Sequence, residues 1–257
     1  MAEKVSRKTT MLNTLRNRFE QGCRTSPYPK AVIDLPTRYR GRPTVNGRAP
    51  DQLADRCAAA CPQEAIDARR RRIDLGRCVF CGACERLSNG AFVSFSRDFE
   101  IATASRSHLI TDGSLPELAE QASTHFKKLF GRSLQLRQVS AAGCNACEAD
   151  LNVLATPFFD LARFGINFVA SPRHADGIVV TGPVSRNMKT ALFQTYEAVP
   201  SPKIVVAVGS CALSGGPFRG SGEIVEGLDR LLPVDLFIPG CPPHPLTNLH
   251  ALLTFFK

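Results

Sequence analysis

The sequence predicts an α/β fold, with a doubly wound parallel sheet preceded by a smaller α+β unit. Three observations carry this. The second half alternates short β-branched runs with helical segments, the pattern of parallel strands joined by crossover helices. The first half gathers Cys57, Cys61, Cys78, Cys81 and Cys84 among very short apolar runs. Charge divides the chain the same way: residues 1–110 hold 20 Lys+Arg against 11 Asp+Glu, and residues 111–257 hold 12 of each.

The 257 residues, 44% of them hydrophobic, suffice for a sizeable core without disulfides. No apolar run approaches the roughly 20 residues of a membrane-spanning helix. The charged start, Met1 to Lys8, leads into no apolar signal region and shows no twin-arginine motif, so the chain is expected on the cytoplasmic side. In a reducing compartment its 10 cysteines are expected to bind metal or do redox chemistry rather than form bridges.

Residues 1–48 read as a basic extension, with 11 Lys+Arg against 3 Asp+Glu. That balance suits nucleic acid, lipid headgroups or an acidic protein partner. Met11, Leu12, Leu15 and Phe19, with Lys8, Arg16 and Arg18 opposite, predict an amphipathic basic helix. It would lie on a membrane surface or on a partner subunit. The partner is preferred, because one short helix binds lipid weakly. Cys23 has no partner at ligand spacing and reads as a surface thiol.

Residues 49–110 carry a degenerate ferredoxin pattern. A bacterial ferredoxin run is Cys-x2-Cys-x2-Cys-x3-Cys-Pro, and in two-cluster ferredoxins the fourth Cys ligates the other cluster. Here one run reads Cys78, Cys81, Cys84 and then Ser88 in the fourth position. The other keeps only Cys57 and Cys61-Pro62, with Asp51 and Ala54 in its first two positions. The crossing rule therefore completes one [4Fe–4S] cluster, on Cys61, Cys78, Cys81 and Cys84, and leaves Cys57 as a leftover thiol. Four thiolates also suit zinc, the competing reading. Ala65-Ile66 and Ile73 to Leu75 fit the small strands of a ferredoxin-like fold, with Arg69 to Arg72 at an exposed hairpin tip. Such an arginine run serves as a docking turn or as a nucleic-acid patch.

Residues 111–130 read as a linker helix, with Leu118, Ala122, Phe126, Leu129 and Phe130 at helical spacing and Gly131 closing it. In residues 131–257, helices are expected over 151–164 and 188–199. Strands are expected at 178–180, 204–208 and 236–238. In such sheets ligands bind at the carboxyl ends of the strands. Gly143-Cys144-Asn145-Ala146-Cys147-Glu148 precedes a helix, whereas Gly209-Ser210-Cys211 and Gly240-Cys241-Pro242-Pro243 each follow a strand. The topology can thus bring Cys144, Cys147, Cys211 and Cys241 together. A Cys-x2-Cys redox pair is the alternative, and it leaves Cys211 and Cys241 unexplained.

These motifs, with Gly131-Arg132-Ser133 and Thr181-Gly182-Pro183-Val184, resemble the small subunit of membrane-bound, formate-hydrogenlyase-like [NiFe]-hydrogenases and the homologous 20 kDa-type subunit of complex I, over about residues 131–253. The first half is similar to the ferredoxin-like subunit of the same assemblies, through Gln21-Gly22, Thr25, Tyr28-Pro29, Arg40-Gly41-Arg42-Pro43 and Phe99-Glu100. Two subunits thus look fused. The resemblance implies a flavodoxin-like second domain. It also implies a second [4Fe–4S] cluster on Cys144, Cys147, Cys211 and Cys241, next to a catalytic large subunit. The implied partners are that hydrogenase large subunit or the 49 kDa-type subunit of complex I, membrane-arm subunits, and an electron-donor subunit or ferredoxin. Cys144-x2-Cys147 follows the hydrogenase pattern, since the complex I subunit has two adjacent cysteines at the first position.

Glu148 is either a carboxylate for proton transfer at the large-subunit interface or an ordinary first-turn Glu complementing the helix dipole, the slightly favoured reading. His244 is read as a surface or helix-start residue in preference to a donor to cluster sulfur, and His174 as structural. The chain is expected to be a peripheral electron-transfer subunit, with no nucleotide loop, nucleophile or general base of its own. The competing class is a basic, metal-stapled nucleic-acid-binding protein. Aromatic residues are few in the basic segment (Phe19, Tyr28, Tyr39), so base-stacking platforms are poor and nucleic acid is not expected as a partner.

Overall fold

A computed structural model describes residues 7–31, 33–114, 128, 130 and 133–256. Apart from positions 128 and 130, the linker-helix expectation at 115–130, with Gly131, lies outside the described residues.

The second half holds a five-stranded, wholly parallel sheet. Its strands are β6 (Leu134–Ser140), β7 (Ile166–Phe168), β8 (Gly177–Thr181), β9 (Ile204–Val208) and β10 (Leu236–Ile238). Their spatial order is β10-β9-β8-β6-β7. Read from the other edge this is 2-1-3-4-5, the flavodoxin-like order, and it sets the switch point between β6 and β8. β8 and β9 are buried at every position, as a parallel strand covered on both faces requires. Alternate residues serve opposite faces. Val179, Ile204, Val206 and Val208 pack with Leu151, Leu249 and Phe255. Ile178, Val180, Val205 and Ala207 pack with Leu192 and Leu213.

The helices that cover the sheet are α4 (Ala146–Val153), α5 (Arg186–Ala198), α6 (Gly209–Ser214) and α7 (Pro245–Phe256). The expected helix over 151–164 is displaced: α4 starts earlier and stops at Val153, just ahead of Pro157, which cannot continue a helix. Leu161–Phe164 is a separate 3-10 turn.

The first half opens with α1 (Arg7–Gln21), on which Leu12, Leu15 and Phe19 stay exposed. Then follow β1 (Pro43–Val45), α2 (Asp51–Ala59), β2 (Ile66–Asp67), β3 (Arg72–Asp74), α3 (Ala83–Ser88), β4 (Val93–Phe95) and β5 (Ile110–Thr111). β1 pairs antiparallel with β4, and β2-β3-β5 form a second antiparallel sheet. Among the described residues its core is shared: Ile73, Leu75, Phe92 and Leu109 are continuous with Val139, Val180 and Val205 of the parallel sheet. Thr103 exchanges two backbone hydrogen bonds with Phe237 and so covers the outer edge of β10.

The segment before β1 also lies across the second half. The Arg163 guanidinium donates to the carbonyls of Ser26 and Tyr28 at 2.8 and 2.7 Å. Tyr28 hydrogen-bonds His250 Nδ1 at 2.6 Å and stands edge-on to Phe99. The arginine run sits at the β2–β3 turn as expected, but Arg71 turns inward. It pairs with Asp51, donates to the Ala49 carbonyl and lies over Phe92, which withdraws its charge from the surface. Arg42 likewise pairs with Asp98.

Candidate iron–sulfur sites

Cys61, Cys78, Cys81 and Cys84 line one cavity, walled by Ile66, Ile73 and Phe95. Cys61 follows α2, Cys78 and Cys81 lie in the β3–α3 loop, and Cys84 is in the first turn of α3. Asp74 organises that loop. Its carboxylate takes Arg106 at 2.7 Å and the Gly76 amide at 2.9 Å, and its carbonyl takes the Cys78 amide at 2.9 Å. Arg40 Nε donates to the Phe80 carbonyl at 2.6 Å and holds the other end of the loop. Backbone amides already aim at sulfur: Ala65 at Cys61 Sγ, 3.3 Å, and Phe80 at Cys78 Sγ, 3.4 Å. Burial pushes the Cys78 thiol up to about 12 and the Cys84 thiol up to about 11, and the neighbouring cysteines push in the same direction. Such a set of crowded sulfurs is stable as thiolates only around a cationic centre.

The positions that would hold a second cluster of this unit are packed into the core instead. Ala54 and Cys57 are 1% and 0% exposed, and Ser88 is 5% exposed, while Asp51 points outward to Arg71. Cys57 Sγ faces the Cys84 carbonyl at 3.6 Å, and burial raises its pKa. Cys23 is exposed.

The other four cysteines converge at the carboxyl end of the parallel sheet. Cys144 and Cys147 follow β6 at the start of α4, Cys211 follows β9 within α6, and Cys241 follows β10. Burial, and then the proximity of Cys211, Glu148, Cys241 and Cys144, raises the Cys147 thiol. Cys211 is pushed to about 12 by burial and by Cys241 and Cys144. Gly209, at φ +87°, makes this possible: a Cβ there would lie 2.6 Å from Cys147 Sγ. Cys144 and Cys241 are exposed, so the site has an open side.

Among the described residues, no group of three or more His, Cys, Asp or Glu side chains is arranged to hold a single metal ion. A cubane, with iron and sulfide between its thiolates, spreads its ligands wider than one ion does. The convergent sulfurs, the amides aimed at them and the space kept by Gly209 all fit that larger group.

Glu148 lies at the switch point. Ser140 and Thr181, the register-paired last residues of β6 and β8, donate to its Oε1 at 2.6 and 2.7 Å. Its Oε2 is buried without a partner. Burial alone would raise its pKa, but the two hydroxyl donors outweigh burial and hold it below its ordinary value. Although it occupies the first turn of α4, it is 5% exposed, unlike a solvated dipole-complementing Glu. His244 starts α7: its Nδ1 accepts from the Leu246 amide at 3.1 Å, and its ring stands edge-on to Tyr39. His174 ends an exposed 3-10 turn.

The two cysteine sets adjoin. Cys81 and Cys241 line one open cleft with Arg38, Arg40, Asp150 and His244. On the buried side, Ser210 joins the two loops: its hydroxyl stands 2.7 Å from the Cys78 carbonyl and 3.0 Å from that of Gly240.

The model of the NADH ubiquinone oxidoreductase 20 kDa subunit family matches residues 144–255. The probable membrane-bound hydrogenase subunit mbhJ of Pyrococcus furiosus is 40% identical over 144 residues, covering 56% of this chain and 86% of that relative. The chain belongs to the 20 kDa subunit family. Formate hydrogenlyase subunit 7 of Escherichia coli is 40% identical, over 52% of each chain. A NADH-quinone oxidoreductase subunit of Roseiflexus is 45% identical, over 45% of this chain and 43% of that one. A solved chain of the archaeal membrane-bound sulfane sulfur reductase shares 34% identity over 50% of this chain and 71% of its own, with a TM-score of 0.44. The family match begins at Cys144 and takes in Cys147, Glu148, Ser210, Cys211 and Cys241; the first cysteine set lies outside it.

Ser210, Asp74 and the Ser140–Thr181 pair were not singled out as site residues by sequence. Ser210 sits inside the Gly-Ser-Cys motif, but nothing local signals that its hydroxyl meets a carbonyl 132 positions away.

Proposed function

We propose that this chain is a peripheral electron-transfer subunit of a membrane-associated oxidoreductase of the hydrogenase and complex I type. Cys61, Cys78, Cys81 and Cys84, in a ferredoxin-like unit, hold one [4Fe–4S] cluster. Cys144, Cys147, Cys211 and Cys241 hold another. Bound there, the clusters supply one-electron redox steps. The chain's own residues set the conditions for those steps. Amides of Ala65 and Phe80 donate to ligand sulfur and stabilise its charge, Arg40 adds positive charge beside the first set, and Ile66, Ile73 and Phe95 exclude water. The exposed side at Cys144 and Cys241 faces the partner large subunit, which carries the catalytic site. The immediate donor is another subunit or a ferredoxin, and the membrane arm anchors the complex on the cytoplasmic face.

The observation that carries this reading is the convergence of four cysteines, from three separate strand ends, beside a second set of four. Among the described residues no helix is long and apolar enough to cross a membrane, which suits a peripheral position. Single-site variants of the anaerobically isolated complex test the assignment by EPR. Cys61→Ser removes one iron–sulfur signal and Cys57→Ser removes none. Loss of a signal with Cys57→Ser, or retention of both with Cys61→Ser, refutes the ligand set.

A further inference from the structure

Ser210 occupies a singular place between the two cysteine sets. It directly precedes Cys211, and Gly240 directly precedes Cys241. Its side chain is buried, 1% exposed. The hydroxyl has a single proton and two carbonyl oxygens within reach, that of Cys78 at 2.7 Å and that of Gly240 at 3.0 Å. The Gly240 carbonyl already accepts the Ser210 amide at 2.8 Å. The shorter contact, to an oxygen with greater need of a donor, takes the proton. The bond Ser210 Oγ–H to Cys78 O therefore joins a residue of the first set to the neighbour of a residue of the second.

From this geometry we infer that Ser210 is the positioning residue that couples the two clusters. It rests on the two-cluster reading above. From Cys78 Sγ the route follows covalent bonds to the Cys78 carbonyl, crosses one hydrogen bond to Ser210 Oγ, and follows covalent bonds again to Cys211 Sγ. Electronic coupling falls more slowly along bonds than across an open gap. The alternative passage, between Cys81 and Cys241, crosses an open cleft lined by Arg38 and Asp150. One electron passes along the Ser210 route at a time, lowering one cluster by a unit of oxidation state and raising the other; no proton moves, since Ser210 keeps its hydrogen throughout. The same bond fixes the two loops in register, so it sets both the route and the separation.

Ser214 provides an internal control. It is also buried, and its hydroxyl has two carbonyls within reach, that of Gly76 across the same boundary at 2.9 Å and that of Ser210 at 3.0 Å, but neither Ser214 nor Gly76 adjoins a cysteine of either set. Both hydroxyls tie the two halves together, but only that of Ser210 meets the carbonyl of a cysteine.

The test uses the anaerobically isolated native complex. An electron is injected by rapid photoreduction, and freeze-quench EPR follows its passage from one iron–sulfur signal to the other. Pulsed dipolar EPR on the fully reduced sample reads the distance between the clusters. Ser210→Ala is expected to keep both signals and slow the transfer several-fold, while Ser214→Ala leaves the rate unchanged and Ser210→Thr, which retains the hydroxyl, restores it. Should Ser210→Ala fail to load, Ser210→Val against Ser210→Thr makes the same comparison between side chains of equal shape. An unchanged rate in the hydroxyl-free variants, with both signals present, overturns the assignment, as does equal slowing in Ser214→Ala. A wild-type complex with only one iron–sulfur signal defeats the two-cluster reading itself, and is seen before any variant is made.

Discussion

At the scale of single residues, Glu148 departs most from an ordinary surface carboxylate. Ser140 and Thr181 direct their hydroxyl protons to one of its oxygens, which ties the two strands flanking the switch point to the start of α4. Glu148→Ala would leave the buried Thr181 hydroxyl only the longer contact to the Val139 carbonyl, 3.3 Å, while the exposed Ser140 can turn to water, and a buried hydrogen bond left unmade costs about 1–3 kcal/mol. Glu148→Gln keeps a carbonyl oxygen for both donors. Thermal melting should show a drop of several degrees for the alanine variant and a small change for the glutamine variant. Equal melting of the two would mean that the pair of hydroxyls does not need Glu148. Legibility at this scale is uneven. The eight candidate cysteines are conspicuous because their spacing is a chemical pattern. The Ser140–Glu148–Thr181 junction is not, because it depends on two strands becoming neighbours.

At the scale of elements, the loops between strands and helices carry the candidate chemistry. α6 can begin beside Cys147 only because Gly209 has no Cβ and adopts a left-handed conformation. Gly209→Ala is expected to eliminate the EPR signal of the Cys144, Cys147, Cys211 and Cys241 site and to spare the other. Survival of both signals would show that the loop can give way. Strands β8, β9 and β10 are legible as β-branched or apolar runs. β6, the strand on which the switch point depends, is not: of Leu134–Ser140 only Val139 is β-branched, and Gln135, Arg137 and Gln138 dilute its apolar character. α7 is equally hidden. Most of Pro245–Phe256 is buried, the polar Thr247 and Asn248 included, so its burial does not follow an apolar period in the sequence. The boundary between the halves, visible in charge and cysteine spacing, does not divide the core, because the first unit is too small to bury its apolar side chains alone.

At the scale of the whole molecule, the segment preceding β1 closes over α7 through Tyr28 and His250. Burial, with Glu100 nearby, raises the Tyr28 phenol to about 12, so it remains protonated where it hydrogen-bonds His250 Nδ1. His250 Nε2 lies 3.3 Å from the Thr254 hydroxyl. Burial holds His250 below its ordinary 6.5 despite Glu100 at 3.5 Å and the more distant charge of Asp98, and burial lowers His244 as well. Both imidazoles therefore gain protons more readily in the unfolded chain. Stability is at its full value above about pH 6.5 and is lost as pH falls below it. A melting series from about pH 7.5 to about pH 5.5 should show the decline, and His250→Gln should flatten part of it. A decline that begins only well below about pH 5 would implicate carboxylates or released iron instead.

On the proposed reading this one chain holds two cubanes. Quantifying iron and acid-labile sulfide per chain in the anaerobically isolated complex, after the iron of partner subunits has been determined separately, tests it most directly. Two cubanes require about eight irons and about eight sulfides in this chain. About four would leave one cysteine set empty, about twelve would restore a cluster where Cys57 is packed into the core, and zinc in place of iron would rule out both cubanes.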